Sequence, residues 1–331
     1  MATLAGKSIS ANGLGLMNFT ANPAAPTLDE VAFATMRAAL AVGATVWNAA
    51  DFYGPPHANS LHLLARYFTA YPEDADKVTV CIKSGIRSFQ PMVLDCSPTY
   101  MREAVDNAVK ILAGKKTIDV FGPCRVDPNT PIEDTISALA EVKKEGKING
   151  IQLSEVSAST IRRAAEVAKI DMVEAEVSLW STDIFNNGVA DTCAELGIVV
   201  TAHTPLGAGM LTGNIKSVSD IPKGSFKSFF PRFQEEALKK NFLLVQELQK
   251  LAEKKGVTAA QLALAWVKNK GKDGKPFIVL AVGARSVERV KENFADVVLT
   301  EKELQDIKEV LEHNPVMGDR FPTAFAAHTE Y

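Results

Sequence analysis

Two residues in this chain can share a proton if the fold lets them meet: Tyr53 and Lys83. A phenol has a reference pKa of about 10 and is a poor acid near neutrality. An ammonium beside it stabilises the phenolate and makes the proton easier to give. Tyr53 lies in Val46-Trp47-Asn48-Ala49-Ala50-Asp51-Phe52-Tyr53-Gly54, where the apolar run 44–47 predicts a buried strand opening into a loop. Lys83 directly follows a second apolar run, 78–82, which predicts another strand. A single tyrosine or lysine in a loop is ordinarily a solvated surface group. The pair carries chemistry only if both strand ends open at one mouth.

Two further stretches suit an anion. The segment from His203 through Leu206, Gly207, Ala208 and Gly209 to Gly213 follows a predicted strand at 198–202. Its glycines let backbone N–H groups approach a phosphate closely, although a plain flexible loop has the same composition. After the predicted strand 277–282 comes Gly283-Ala284-Arg285-Ser286-Val287-Glu288-Arg289, which opens a helix. Two guanidiniums there suit a phosphomonoester better than a ribose hydroxyl, which favours NADP over NAD.

The elements that must position these groups alternate. Strands are predicted at 9–17, 45–47, 78–82, 117–121, 148–153, 171–175, 198–202 and 277–282, with helices after each. Capping boxes are predicted at Thr27 with Glu30, Thr130 with Glu133, and Thr258 with Gln261, and Ser97-Pro98 starts another helix. A helical block spans 235–255. Short apolar strands in strand-then-helix units are the mark of parallel strands buried on both faces. Eight such units predict the α/β class and a single (β/α)8 TIM barrel over residues 1–331, with an irregular tail from about 314 that can lie over the mouth. A doubly wound sheet would want Gly-x-Gly-x-x-Gly after an early strand; Gly13-Leu14-Gly15 lacks the third glycine and starts no helix. In a barrel the site lies at the carboxyl ends of the strands, and neighbouring strands stand about 5 Å apart. Tyr53 and Lys83 can then touch.

Composition narrows the partners. A net charge of −3 gives no basic footprint for nucleic acid. No apolar run approaches a membrane span, and the first residues lack the core of a signal peptide. The four cysteines, Cys81, Cys96, Cys124 and Cys193, show no metal spacing, nor do His57, His62, His313 and His328. The chain is read as cytoplasmic, with the nucleus also open to it, with reduced thiols and no metal, and a monomer is the default.

Taken together these residues resemble the aldo-keto reductase superfamily along essentially the whole chain. The family pattern Asp-x-Ala-x-x-Tyr-Gly appears as Asn48 to Gly54, the family lysine as Lys83, the Pro-Leu-Gly-x-Gly loop as Pro205 to Gly209, and the Gly-x-Arg-Ser…Arg…Glu-Asn motif as Gly283 to Asn293. Within it, Trp47 to Gly54, Asn59 to Leu64, Tyr71 to Asp74 and Arg125 to Pro128 are similar to a fungal subgroup that reduces pyridoxal. The resemblance implies that Tyr53 is the general acid and that Lys83 lowers its pKa. It places Ser154 and Glu155 at the nicotinamide amide, Glu174 where many relatives carry Gln, and His203 where a tyrosine stacks on the nicotinamide. Leu206, Gly207 and Gly209 would meet the pyrophosphate. Arg285, Ser286 and Arg289 would take the 2′-phosphate of NADPH, with Glu292 and Asn293 at the adenine.

Two positions of the implied catalytic set depart from the family. The Asp that clamps the lysine falls on Asn48, and the His after the fourth strand falls on Cys124. The sequence therefore predicts Lys83 without an anion beside it, leaning more fully on Tyr53. Asp51 is the other carboxylate in reach by sequence, offset by three residues. Cys124 leaves room for a bulky ring. The implied reaction is NADPH-dependent reduction of a small-molecule aldehyde, pyridoxal first, with another aromatic or sugar-derived aldehyde as the alternative. A non-catalytic NADPH-binding redox sensor is the reading from a different class.

Overall fold

The computed structural model describes residues 2–22, 25–222, 224–272 and 275–330, so the chain ends Met1 and Tyr331 lie outside it. Eight parallel strands close into a barrel: β1 (Asn12–Gly15), β2 (Val46–Ala50), β3 (Thr79–Ser84), β4 (Ile118–Pro123), β5 (Ile148–Ser154), β6 (Met172–Glu176), β7 (Val199–His203) and β8 (Ile278–Gly283). The last strand pairs with the first, Leu280 opposite Asn12, which completes the ring. The barrel expected from the alternation is the one found.

Side chains on a strand alternate faces, so residues two apart share one. Val46, Cys81, Val120, Met172, Val199 and Val279 form one inner layer. An antiparallel hairpin, Ala2–Leu4 with Lys7–Ile9, plugs the floor beneath them with Leu4 and Ile9. Burying two such side chains contributes about 1.5–3 kcal/mol apiece. Lys7 fixes the plug through Asp119 at 2.9 Å and the Val78 carbonyl at 3.2 Å. The outward face works differently. Trp47 turns away from the interior to pack on Tyr67 and Phe68, 5.0 and 5.8 Å between ring centroids, and its indole N–H donates to the Ala44 carbonyl. That contact seats β2 on the helix Ser60–Ala70, whose first N–H groups are capped by Asn59.

Several boundaries differ from the sequence reading. The predicted strand 9–17 divides: Ile9 belongs to the floor hairpin, Asn12–Gly15 is β1, and Met17 opens a short helix. Most of the other strands run one to three residues further toward the mouth than their apolar runs. Their inward polar residues (Asn48, Lys83, Ser154, Glu174, His203) continue the period-two pattern, which apolar counting stops too early. Thr27 caps nothing; the helix Asp29–Ala41 starts after Leu28 with no side-chain cap. Thr130 likewise leaves the helix Ile132–Lys144 uncapped: the helix starts a residue later than expected with Pro131 at the cap position, and the Thr130 hydroxyl donates to the Asp127 carboxylate at 3.1 Å. The box at Thr258 and the cap at Ser97 form as expected.

Candidate active site

Asn48, Lys83 and Glu174 each stand two residues mouthward of an inner-layer residue, so β2, β3 and β6 aim them into one space. There they make a closed triangle. Lys83 Nζ lies 2.8 Å from Glu174 Oε2 and donates to Asn48 Oδ1 at 2.7 Å. Asn48 Nδ2 donates to the same glutamate oxygen at 2.5 Å. The Lys83 ammonium stands 5.2 Å from the centre of the Tyr53 ring. The strand ends therefore do meet at one mouth.

The triangle corrects one expectation. Lys83 is not without an anion: Glu174 supplies one from across the barrel. Glu174 itself, expected among the cofactor-binding residues, has its Oε2 engaged by Lys83 and Asn48. Asp51 plays no part in this; its Oδ2 accepts from Ser84 Oγ at 2.5 Å, and Ser84 faces away from Lys83 along the strand. Burial lifts the Asp51 carboxyl to about 6 against the opposing pull of Ser84.

The electrostatics follow from depth and pairing. Burial pushes Tyr53 up to about 12, while Lys83 draws it down and Glu174 partly cancels that pull. The lysine alone would acidify the phenol; screened by its glutamate, it holds Tyr53 protonated through the neutral range. Burial works against the charge of Lys83, but Glu174, then Tyr53 and Cys124, outweigh it and its pKa rises. Burial raises Glu174, and Lys83 followed by His203 brings it below the ordinary carboxylate range. Cys124 is buried at the mouth of β4, where its N–H donates to the Ser84 carbonyl at 2.8 Å. Burial raises its thiol, so it stays neutral.

The cofactor-binding candidates lie on the adjoining strands and loops. Ser154 ends β5 opposite Glu174, and its buried Oγ has no hydrogen-bond partner among the described residues. An orphaned buried hydroxyl of this kind fits an amide ligand such as a nicotinamide carboxamide. Glu155 follows with φ 54°, and its carboxylate is engaged by His203 Nε2 at 2.6 Å and by Arg320 at 2.8 Å. His203 Nε2–H donates to Glu155 Oε1, and in the neutral tautomer this leaves Nδ1 to accept from the Thr204 hydroxyl at 3.0 Å. His203 thus sits edge-bound to Glu155 at the end of β7.

Gly207, Ala208 and Gly209 are left-handed in succession, φ 57°, 53° and 95°, and the N–H groups of Gly207 and Gly209 donate to the Thr204 and Leu206 carbonyls at 2.8 and 3.0 Å. Lys227 Nζ lies 3.5 Å from where a Cβ on Gly209 would stand. Burial lowers the pKa of Lys227 and the Arg285 guanidinium lowers it further. Two cations that repel each other beside a glycine turn are the setting a phosphate would relieve. Ser286 caps the helix Val287–Asn293, accepting from the Arg289 N–H at 3.3 Å; Arg289 pairs with Glu292 at 2.5 Å, and Asn293 donates to the Gly283 carbonyl at 3.5 Å.

Three charged residues escape the sequence reading. Arg125 sits beside Cys124 within a stretch otherwise used only for its likeness to relatives. Lys227 lies in the aperiodic connection after β7, and Arg320 in the tail, where it pairs with Glu155 and with Glu176 at 3.0 Å. Sequence periodicity is silent in such segments. Only the excess of cations near a glycine loop could have pointed to Lys227.

A closed parallel barrel with a half-buried tyrosine beside a buried lysine at its carboxyl end and a glycine turn flanked by cations after its seventh strand is the arrangement of a nicotinamide-dependent oxidoreductase of the barrel type. The chain belongs to the Aldo/keto reductase family, whose model matches residues 13–312. It is 36% identical over 330 residues to a probable pyridoxal reductase 2 of Schizosaccharomyces pombe, covering 97% of both chains. It is also 36% identical over 336 residues to a putative pyridoxal reductase of Saccharomyces cerevisiae, covering 94% of this chain and 96% of that one. Among solved structures, a glycerol dehydrogenase from Gluconobacter oxydans superposes with a TM-score of 0.82 at 23% identity, covering 96% of this chain and 97% of the other. A thermostable aldo-keto reductase solved with the inhibitor epalrestat gives 0.68 at 21% identity, covering 93% and 98%. Both show the shared fold.

Proposed function

We propose that the protein is an NADPH-dependent aldehyde reductase whose substrate is pyridoxal, reduced to pyridoxine by direct hydride transfer. The observation that carries the reading is the half-buried Tyr53 beside the buried Lys83–Glu174 pair at the carboxyl end of the barrel. Ser154 would hold the carboxamide, the Gly207–Gly209 turn with Lys227 the pyrophosphate, and Arg285 with Ser286 and Arg289 the 2′-phosphate. Bound there, the cofactor would supply the hydride.

The chain's own residues do the rest. Tyr53, protonated up to about pH 12, donates its hydroxyl proton to the carbonyl oxygen as negative charge grows on it. An alkoxide is a far stronger base than a phenolate, so the transfer runs downhill even from a weak acid. Lys83 stabilises the phenolate left behind, and Asn48 and Glu174 hold the ammonium in place without competing for the phenol. Cys124, smaller than imidazole, leaves space for a substituted pyridine, and Phe52, 5.2 Å from Tyr53 in an edge-on arrangement, offers an aromatic wall. The binding-only sensor is motivated by the departures at Asn48 and Cys124; Glu174 returns an anion to Lys83, while Cys124 still stands where the family has its histidine.

The test is NADPH oxidation followed by absorbance with pyridoxal, in the wild type and in Tyr53→Phe. The reading predicts turnover that falls by about 10²-fold or more in the variant. Full turnover by Tyr53→Phe would overturn the mechanism. NADPH binding, seen as quenching of Trp47 or Trp180, without turnover of pyridoxal or of any aldehyde in a panel would overturn the reductase.

A further inference from the structure

Several of the charged groups at the mouth pair off. Lys83 has Glu174 at 2.8 Å, Arg320 has Glu155 at 2.8 Å and Glu176 at 3.0 Å, and His203 shares Glu155 at 2.6 Å. Arg125 has no carboxylate within 4 Å among the described residues. Its NH1 donates to the Cys124 carbonyl at 2.6 Å and lies 3.3 Å from Cys124 Sγ, which fixes the guanidinium beside the residue that replaces the family histidine. Nε and NH2 have no protein partner among the described residues. The group is partly buried at the mouth. Burial works against its charge, and Cys124, Glu155, Glu174 and Tyr53 together outweigh that. A ligand oxyanion completes a partly buried guanidinium with most of its fork unused. The neutral thiol of Cys124 does not.

We propose that Arg125 receives an oxyanion of the substrate, namely the oxygen on the ring carbon next to the one bearing the aldehyde. The site then selects aromatic aldehydes with an ortho hydroxyl, of which 3-hydroxypyridine-4-carbaldehydes such as pyridoxal are one class. In such a ring the carbonyl and hydroxyl oxygens point the same way, about one hydrogen-bond length apart. Tyr53 serves the first and Arg125 the second. The exchange of imidazole for thiol at position 124 is what opens the guanidinium to the ring. This inference rests on the aldehyde reductase reading and adds the feature by which the aldehyde is chosen.

The experiment compares kcat/KM for salicylaldehyde against benzaldehyde, and pyridoxal against pyridine-4-carbaldehyde, in the wild type, Arg125→Gln and Arg125→Lys. A charge-assisted hydrogen bond predicts a wild-type preference for the hydroxylated member of about tenfold to hundredfold. In Arg125→Gln that ratio collapses toward one, and Arg125→Lys restores part of it. Equal losses on both members of a pair, or a wild type with no preference, overturn the proposal. If the wild type turns over no aldehyde, the reductase reading fails separately. The anion site is then judged by calorimetric titration of 3-hydroxypyridine: binding weakened at least about tenfold in Arg125→Gln upholds it, and equal binding sinks it.

Discussion

Glu174 reaches across the barrel from β6 to within 2.8 Å of Lys83 on β3, so the lysine's counter-charge and the amide beside it, Asn48, stand on opposite walls. Relative to the family pattern, acid and amide have traded places around one ammonium.

That exchange is reversible by design. Glu174→Gln leaves a buried lysine with no carboxylate, a change that costs about 3–5 kcal/mol when one partner of a buried pair is removed. It also withdraws the charge that raises Tyr53, so the alkaline limb of the kcat profile moves to lower pH. Adding Asn48→Asp in the same chain returns an anion from the other wall. The double variant is expected to recover most of the melting temperature and the position of the limb. A double variant no better than Glu174→Gln would show that the wall from which the charge comes matters more than its presence.

Asp51 makes a pH-dependent burden on the fold. Its carboxyl sits at about 6 in the folded chain and near 3.8 when unfolded, so the native state holds more protons between those values. Stability is full below pH 4 and falls as pH rises through 6. Asp51→Asn, which keeps an acceptor for Ser84, is expected to raise the melting temperature at pH 8, by about 1–3 kcal/mol of stability, with little change near pH 4. Equal shifts at both pH values would contradict the assignment.

The approach of β4 to β5 tolerates no side chain at Gly122. A Cβ there would stand 1.9 Å from the Gln152 carbonyl oxygen, backbone that cannot swing aside. Gln152 is itself tied to the Ile82 carbonyl at 2.7 Å. Gly122→Ala is expected to cost at least about 3 kcal/mol, seen by denaturant unfolding, or to abolish soluble expression. A loss under 1 kcal/mol would mean the strands can part locally.

Cofactor choice should follow the cations. Arg285→Ala is expected to raise KM for NADPH by about tenfold or more while changing KM for NADH far less, since it removes a phosphate partner only. Lys227→Ala, at the turn proposed to meet the pyrophosphate of either cofactor, is expected to weaken both. Parallel effects of Arg285→Ala on the two cofactors would remove the basis for NADPH.

Much of this was legible from residue types. Eight apolar runs separated by helix signals gave the barrel, and the Tyr53–Lys83 pairing followed from where strand ends must gather. Glu174 was visible as a residue but not as Lys83's partner, because 91 positions separate them and only closure of the ring brings β6 opposite β3. Thr27 and Thr130 carried capping patterns that lost to neighbouring geometry: each helix starts a residue late, with Leu28 and Pro131 at the cap positions. Arg125 and Arg320 lie past strand ends, where no periodicity fixes a side chain's direction.

The central claim is hydride delivery to a carbonyl carbon at this mouth with Tyr53 as the proton donor. The most direct measurement runs the reaction with NADPH deuterated at the transferring carbon and pyridoxal, and reads the pyridoxine by mass and by NMR. The account predicts one deuterium on the former aldehyde carbon, from one face of the nicotinamide only, and none in Tyr53→Phe above its residual rate. Pyridoxine formed without deuterium at that carbon, or label delivered from both faces, would contradict it.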